Sequence, residues 1–134
     1  MSTMDNQGLD NIIKKTCKFL EGGFGHWKFD INGVGMICMT DEYHNRMRII
    51  SPITLVNKVN HQTILSCMEA NFHTALDAKY AISDGAVWAA FIHPLKELTE
   101  AQAINAISQV HSCAKTFGTT YSSGDLIFPK AEEE

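Results

Sequence analysis

At 134 residues the chain has the length of one domain, and a domain of that size can build a core without metals or disulfides. Its composition, 45% hydrophobic and 19% charged, is that of an ordinary globular protein. The net charge of -4 and the absence of a long basic run exclude an electrostatic footprint for nucleic acid, and the longest apolar run, Ala86 to Ile92, is too short to span a bilayer.

The opening residues MSTMDNQGLD are polar and acidic and lack the apolar centre of a signal peptide. One domain over 1–134 is expected, with 1–8 and 129–134 as flexible ends. A first helix is predicted over about Leu9 to Leu20. Leu9, Ile12, Ile13, Cys17 and Leu20 recur at helical spacing, with Lys14, Lys15, Lys18 and Glu21 opposite, and Gly22-Gly23 is the expected stop. A first strand is expected over Gly25 to Ile31, where Trp27, Phe29 and Ile31 alternate with His26, Lys28 and Asp30. Asn32-Gly33 marks a two-residue hairpin, because both positions of a type I′ turn need positive φ. The next strand is Val34 to Thr40, with Val34, Met36 and Cys38 on one face and Ile37 and Met39 on the other. After the polar turn 41–45 a third strand covers Arg46 to Ser51, with Pro52 either ending it or marking an edge position.

A short helical turn is expected near Leu55 to Val59. A second helix follows over about Thr63 to Ala78, with Leu65, Met68, Phe72 and Leu76 as its core stripe. Tyr80 to Ser83 and Ala86 to His93 read as a hairpin about a Ser83-Asp84-Gly85 turn. Thr99-Glu100-Ala101-Gln102 is a capping box, opening a third helix whose stripe is Ala103, Ile104, Ile107, Val110 and Ala114 and which closes at Phe117-Gly118. Leu126-Ile127-Phe128 is an apolar cluster in the tail, expected to dock on the body or add a short edge strand. The order α-β-β-β-α-β-β-α leaves no room for parallel crossovers. It predicts an α+β fold with a five-stranded antiparallel sheet and helices packed on it.

That order, with the block from Ala70 to Leu95 followed by a last amphipathic helix, resembles the small α/β chaperone fold of type III secretion, and more closely its bacterial YbjN-like relatives. The resemblance spans about residues 9–120 and carries no catalytic signature. It implies a homodimer that binds peptide segments without ATP. The second helix and the last two strands would form the dimer face, and the meander would present the peptide-binding surface.

Cys17, Cys38, Cys67 and Cys113 are far apart among apolar neighbours, which suits buried free thiols in a reducing cytosol better than a metal or disulfide framework. Glu69, His73 and Asp77 fall at i, i+4, i+8 and could ligate a metal or relay a proton, but the same spacing describes a polar flank of the helix. No nucleophile elbow surrounds Ser122-Ser123, and the glycines at 22, 23 and 25 follow a helix, the reverse of a phosphate-cradling loop. Large apolar groups on both faces of the strands are the more telling feature. Trp27, Met36, Met39, Trp88 and Phe91 exceed what one helical layer needs, so one face is either a subunit interface or a peptide groove, unless the helices fill it as ordinary core. Arg46 and Arg48 project from the face of their strand opposite Met47 and Ile49, where they either meet an acidic group or stand in solvent. The reading is a non-enzymatic, cytoplasmic protein- or peptide-binding module, without cofactor, nucleic acid or membrane as partner. Its surface is drawn from Trp27, Met36, Met39, Arg46, Arg48, His73, Trp88, Phe91 and His93. The alternatives are a small-ligand sensor with a pocket near His73, His93 and Trp88, and a metal-dependent enzyme using Glu69, His73 and Asp77.

Overall fold

The computed structural model describes residues 3–123; the Leu126-Ile127-Phe128 cluster and the closing glutamates lie outside the described residues. The elements are α1 (Asn6–Thr16), β1 (Lys18–Gly23), β2 (His26–Ile31), β3 (Val34–Asp41), β4 (Arg46–Leu55), a 3-10 turn (Val56–Lys58), α2 (His61–His73), β5 (Lys79–Ser83), β6 (Ala86–Pro94) and α3 (Glu100–Thr116). All six strands form one antiparallel sheet in the order β1-β2-β3-β4-β6-β5. The α+β class and the antiparallel sheet stand as expected, but the sheet has six strands where five were predicted.

The extra strand is β1, in the segment that the apolar spacing assigned to the end of the first helix. The helix instead stops at Thr16, and Cys17 is already extended. Glycines 22 and 23 end a strand and not a helix. Gly22 has a φ of 101°, and a Cβ on it would lie 2.2 Å from the His26 carbonyl oxygen, so the hairpin closes only because this side chain is missing. Gly22→Ala should therefore cost about 2 kcal/mol or more and lower Tm by roughly 6 °C. Gly23→Ala, with nothing within 4 Å of its Cβ, should stay within about 1 kcal/mol in the same thermal melts.

The predicted loose arm at 1–8 is partly helix, because Asp5 caps α1 by accepting from the Gly8 N–H at 2.8 Å. The Met4 N–H also donates to the Lys96 carbonyl. Asn32 and Gly33 have the positive φ expected of them, and the second hairpin turns the same way, with positive φ at Asp84 and Gly85. β4 runs through Pro52 and does not end there. Pairing with β3 stops at Ile50, so the missing proline N–H leaves no ladder bond unmade on that side. The capping box at Thr99 and Gln102 is present, and Gly118 has positive φ beyond α3.

Helices α1 and α3 lie on one face of the sheet, α3 over β4 and β6, α1 against α3 and β1. Two antiparallel rows show how the sheet feeds this core: Gly22, Trp27, Cys38, Ile49 and Phe91 in one, Phe19, Phe29 and Met36 in the other. Trp27, Phe29, Met36, Cys38, Ile49 and Phe91 are all buried there with Leu9, Ile13, Ala106, Val110 and Cys113. All four thiols are free, and burial pushes those of Cys38 and Cys113 up to about 12.

One buried polar pair ties α1 to β2. The Asp10 carboxylate accepts from the Trp27 indole N–H at 2.9 Å and lies 3.2 Å from Lys14 Nζ. The indole bond, helped by Lys14 and opposed by desolvation, holds the Asp10 carboxyl below its ordinary 3.8. A lowered folded-state pKa favours folding above the unfolded value, and that contribution disappears as pH falls through the folded one. Denaturant melts from about pH 2.5 to 6 should therefore show a shallower acid limb in Asp10→Asn than in the native chain.

Candidate protein-binding surfaces

Alternation along the strands sends every second side chain away from the helices. Across the sheet this outer face reads Lys28, Ile37, Ile50, Ala90 and Lys79 in one row. The next row reads His26, Met39, Arg48 and Ile92, with Arg46 between Asp41 and Pro94 beyond it. On the other side Trp88 stands between Pro52 and Ala81. No described helix covers this face: Ile37, Met39, Ile50, Trp88 and Ala90 are only partly buried, and Ile92 is 58% exposed. Two shallow depressions run along it. One of about 310 Å³ is lined by Met39, Arg48, Ile50, Trp88 and Ile92, and one of about 470 Å³ by Met39, Arg46, Arg48 and Ile92. The Trp88 indole N–H donates to the Ser83 carbonyl at 3.0 Å, which fixes the ring over the β5–β6 turn.

Of the residues expected at such a surface, Met39, Arg46, Arg48 and Trp88 lie on it. Trp27, Met36 and Phe91 do not. They point the other way and are the core beneath α1 and α3, at 0%, 2% and 4% exposure. Ile37, already placed on the Met39 face of its strand, belongs to the surface, as do Ile50 and Ile92, which were missed although alternation carries the signal: once Ile49 and Phe91 face inward, Ile50 and Ile92 must face outward.

A second apolar surface is formed by α2. Leu65, Met68 and Phe72, expected as core, are 43%, 63% and 77% exposed, and the residues buried against the protein are Cys67 and Ala70. Two small side chains let the helix come close to β5, where Asn71 clasps the strand: its amide donates to the Tyr80 carbonyl at 2.9 Å and accepts from the Tyr80 N–H at 2.8 Å. Lys79 Nζ donates to the carbonyls of Asn71 and Ala75 at the end of the helix. The large side chains turn outward beside Ile82, which is 55% exposed. A narrow apolar cleft of about 180 Å³ between Ile64, Cys67, Met68, Tyr80, Ile82 and Val87 completes the patch, and β5 is an edge strand.

The alternative sites come apart. The second helix ends at His73, so Asp77 does not continue its strip, and the Asp77 carboxylate accepts from the Gln109 amide instead. Among the described residues no three His, Cys, Asp or Glu stand close enough to hold a metal. His73, His93 and Trp88 do not share a pocket. His73 lines an open cleft with Glu69 and Tyr121, His93 another with Leu76 and Ile92, and Trp88 lies on the outer face. The cause is again alternation, which turns His93 inward and Trp88 outward; His93 stacks on Phe91 and its Nδ1 lies 2.8 Å from the Pro94 carbonyl.

No family model matches the chain, and no curated protein matches it in sequence. Solved structures do match in fold. A chain of the HopA1–SchA chaperone–effector complex superposes with a TM-score of 0.64 at 10% identity, over 83% of this chain and 90% of that one. The Yersinia pestis type III secretion chaperone SycH, in complex with a stable fragment of YscM2, gives 0.62 at 11% identity over 84% and 98%. A chain of the ExsC–ExsE complex gives 0.57 at 13% identity over 84% and 92%. The chain therefore has the fold of the type III secretion chaperones. No described helix is long and apolar enough to cross a membrane.

Proposed function

We propose that this chain is a non-enzymatic, chaperone-like or adaptor-like module that binds a segment of a protein partner and works as a homodimer. The observation that carries the reading is the uncovered apolar outer face of the sheet, with Ile50, Trp88, Ala90 and Ile92 at its centre. Solvated apolar surface of this kind marks an interaction site, and a pleated face suits an extended partner segment. The likeness to a chain of a chaperone–effector complex and to a type III secretion chaperone in complex with a fragment of YscM2 supports it. The α2 stripe with the β5 edge supplies the self-association surface, which is part of the dimer face that the YbjN-like resemblance implies; the outer face of β6, which the resemblance also assigns to the dimer, goes to the partner segment instead. Four free thiols fit the bacterial cytoplasm as the setting.

Two measurements test this. Sedimentation at about 10 µM should give a mass near twice 14.9 kDa, and a monomer there removes the homodimer. A photo-crosslinking amino acid at Ile92 should label a partner protein in the native cell, while the same group at the exposed Lys115 of α3 should not. Equal labelling from both positions, or none from Ile92, rejects the outer face as the binding surface.

A further inference from the structure

We propose that the segment held on the outer face carries an acidic side chain that pairs with Arg48, followed two residues on by an apolar side chain that covers Ile50 and Ala90. This rests on the outer face being the binding surface. Arg48 stands in the middle of that face, between Met39 on β3 and Ile92 on β6, with Arg46 and Ile50 two positions away on its own strand. It is exposed, and among the described residues its guanidinium has neither a hydrogen bond nor an ion pair. The carboxylate nearest in register, Asp41, lies opposite Arg46 and is already engaged: the His44 ring Nδ1–H donates to it at 2.8 Å and the His44 backbone N–H at 3.1 Å. Those bonds lower the Asp41 carboxyl below its ordinary value.

In the free protein water satisfies Arg48. Any segment that covers Met39, Ile50 and Ile92 also covers Arg48 and strips that water away. A buried guanidinium without a partner is unfavourable, and a carboxylate in its plane restores two charge-assisted hydrogen bonds. An apolar segment without an acid therefore cannot use the face fully. The spacing follows from the strand: side chains on one face recur every second residue, so an acid over Arg48 sets the following inward residue over Ile50. The far end of the depression is bordered by Asp84 beyond Trp88. A segment laid in the reverse direction would bring its carboxylate toward that aspartate, so the charges also set polarity.

The test uses three fluorescein-labelled peptides of about twelve residues, alternating leucine with serine, with Glu, Gln or Lys at the central inward position. Anisotropy gives Kd, and the emission of Trp88, on the surface where Trp27 is buried, reports where they bind. The Glu peptide should bind about tenfold tighter than the Gln peptide and the Lys peptide weaker still. Arg48→Gln should abolish the Glu preference, and the Gln peptide should bind the variant more tightly than it binds the native protein, because no guanidinium is then covered without a partner. Equal binding of Glu and Gln peptides to the native protein, or a Glu preference that survives Arg48→Gln, overturns the pairing but leaves the outer face as a binding surface. Failure of all three peptides to bind overturns both.

Discussion

Trp27→Ala should be the most destabilising single substitution in this chain, costing about 4 kcal/mol and lowering Tm by roughly 15 °C. Trp27 is fully buried at the junction of β2, α1 and the row that ends at Phe91. Truncation leaves a cavity the size of an indole, which a close-packed sheet cannot collapse around. It also removes the donor to Asp10 Oδ1, leaving a carboxylate that is only 8% exposed with Lys14 as its remaining partner. Trp27→Phe separates the two causes. It keeps most of the volume but not the N–H, and should cost about 2 kcal/mol. Adding Asp10→Leu to Trp27→Phe should recover part of that, because no polar group is then left without a partner. Denaturant melts of the four proteins check this; a Trp27→Ala loss below about 2 kcal/mol would mean the site repacks.

Charging the α2 stripe should have the larger effect on assembly. Met68→Glu with Phe72→Glu places two carboxylates where the proposed homodimer would bury apolar side chains, and should weaken self-association by a factor of about 100 or more. The protomer itself should hardly notice, since both positions are exposed and the helix is held to the protein by Cys67, Ala70 and the Asn71 clasp. Its helix content by circular dichroism should be unchanged, because glutamate is a good helix former. Sedimentation across a concentration series reads the outcome. A dimer that survives both charges would have its interface on another surface, and the β1 edge would be the next to test.

Parts of this molecule were legible residue by residue. Asn32-Gly33 and Asp84-Gly85 turn where they should, because positive φ at two successive positions is a local demand that few residues meet. The Thr99 and Gln102 capping box is equally local, and α3 starts where it predicts. The segment Lys18 to Gly23 was misread for a matching reason. Cys17 and Leu20 extend the helical spacing of Leu9, Ile12 and Ile13, yet Gly22 can approach His26 so closely that the segment gains more from pairing with β2 than from prolonging the helix. The named surface residues divide by facing: Met39, Arg48 and Trp88 point away from the helices and Trp27, Met36 and Phe91 toward them, and since all are large, size says nothing about facing.

By itself the amino-acid order determined the turns, the caps, the periodicities and an antiparallel α+β arrangement, since each depends on groups only a few residues apart. Tertiary structure decided what covers what. The α2 spacing announced an apolar stripe but not that Cys67 and Ala70, being small, would take the inward position and leave Met68 and Phe72 in water. The strand alternation announced two faces, but only the placement of α1 and α3 on one of them made Ile50, Trp88 and Ile92 a surface. Burial is a relation between segments far apart in the chain, and short-range physical chemistry does not contain it.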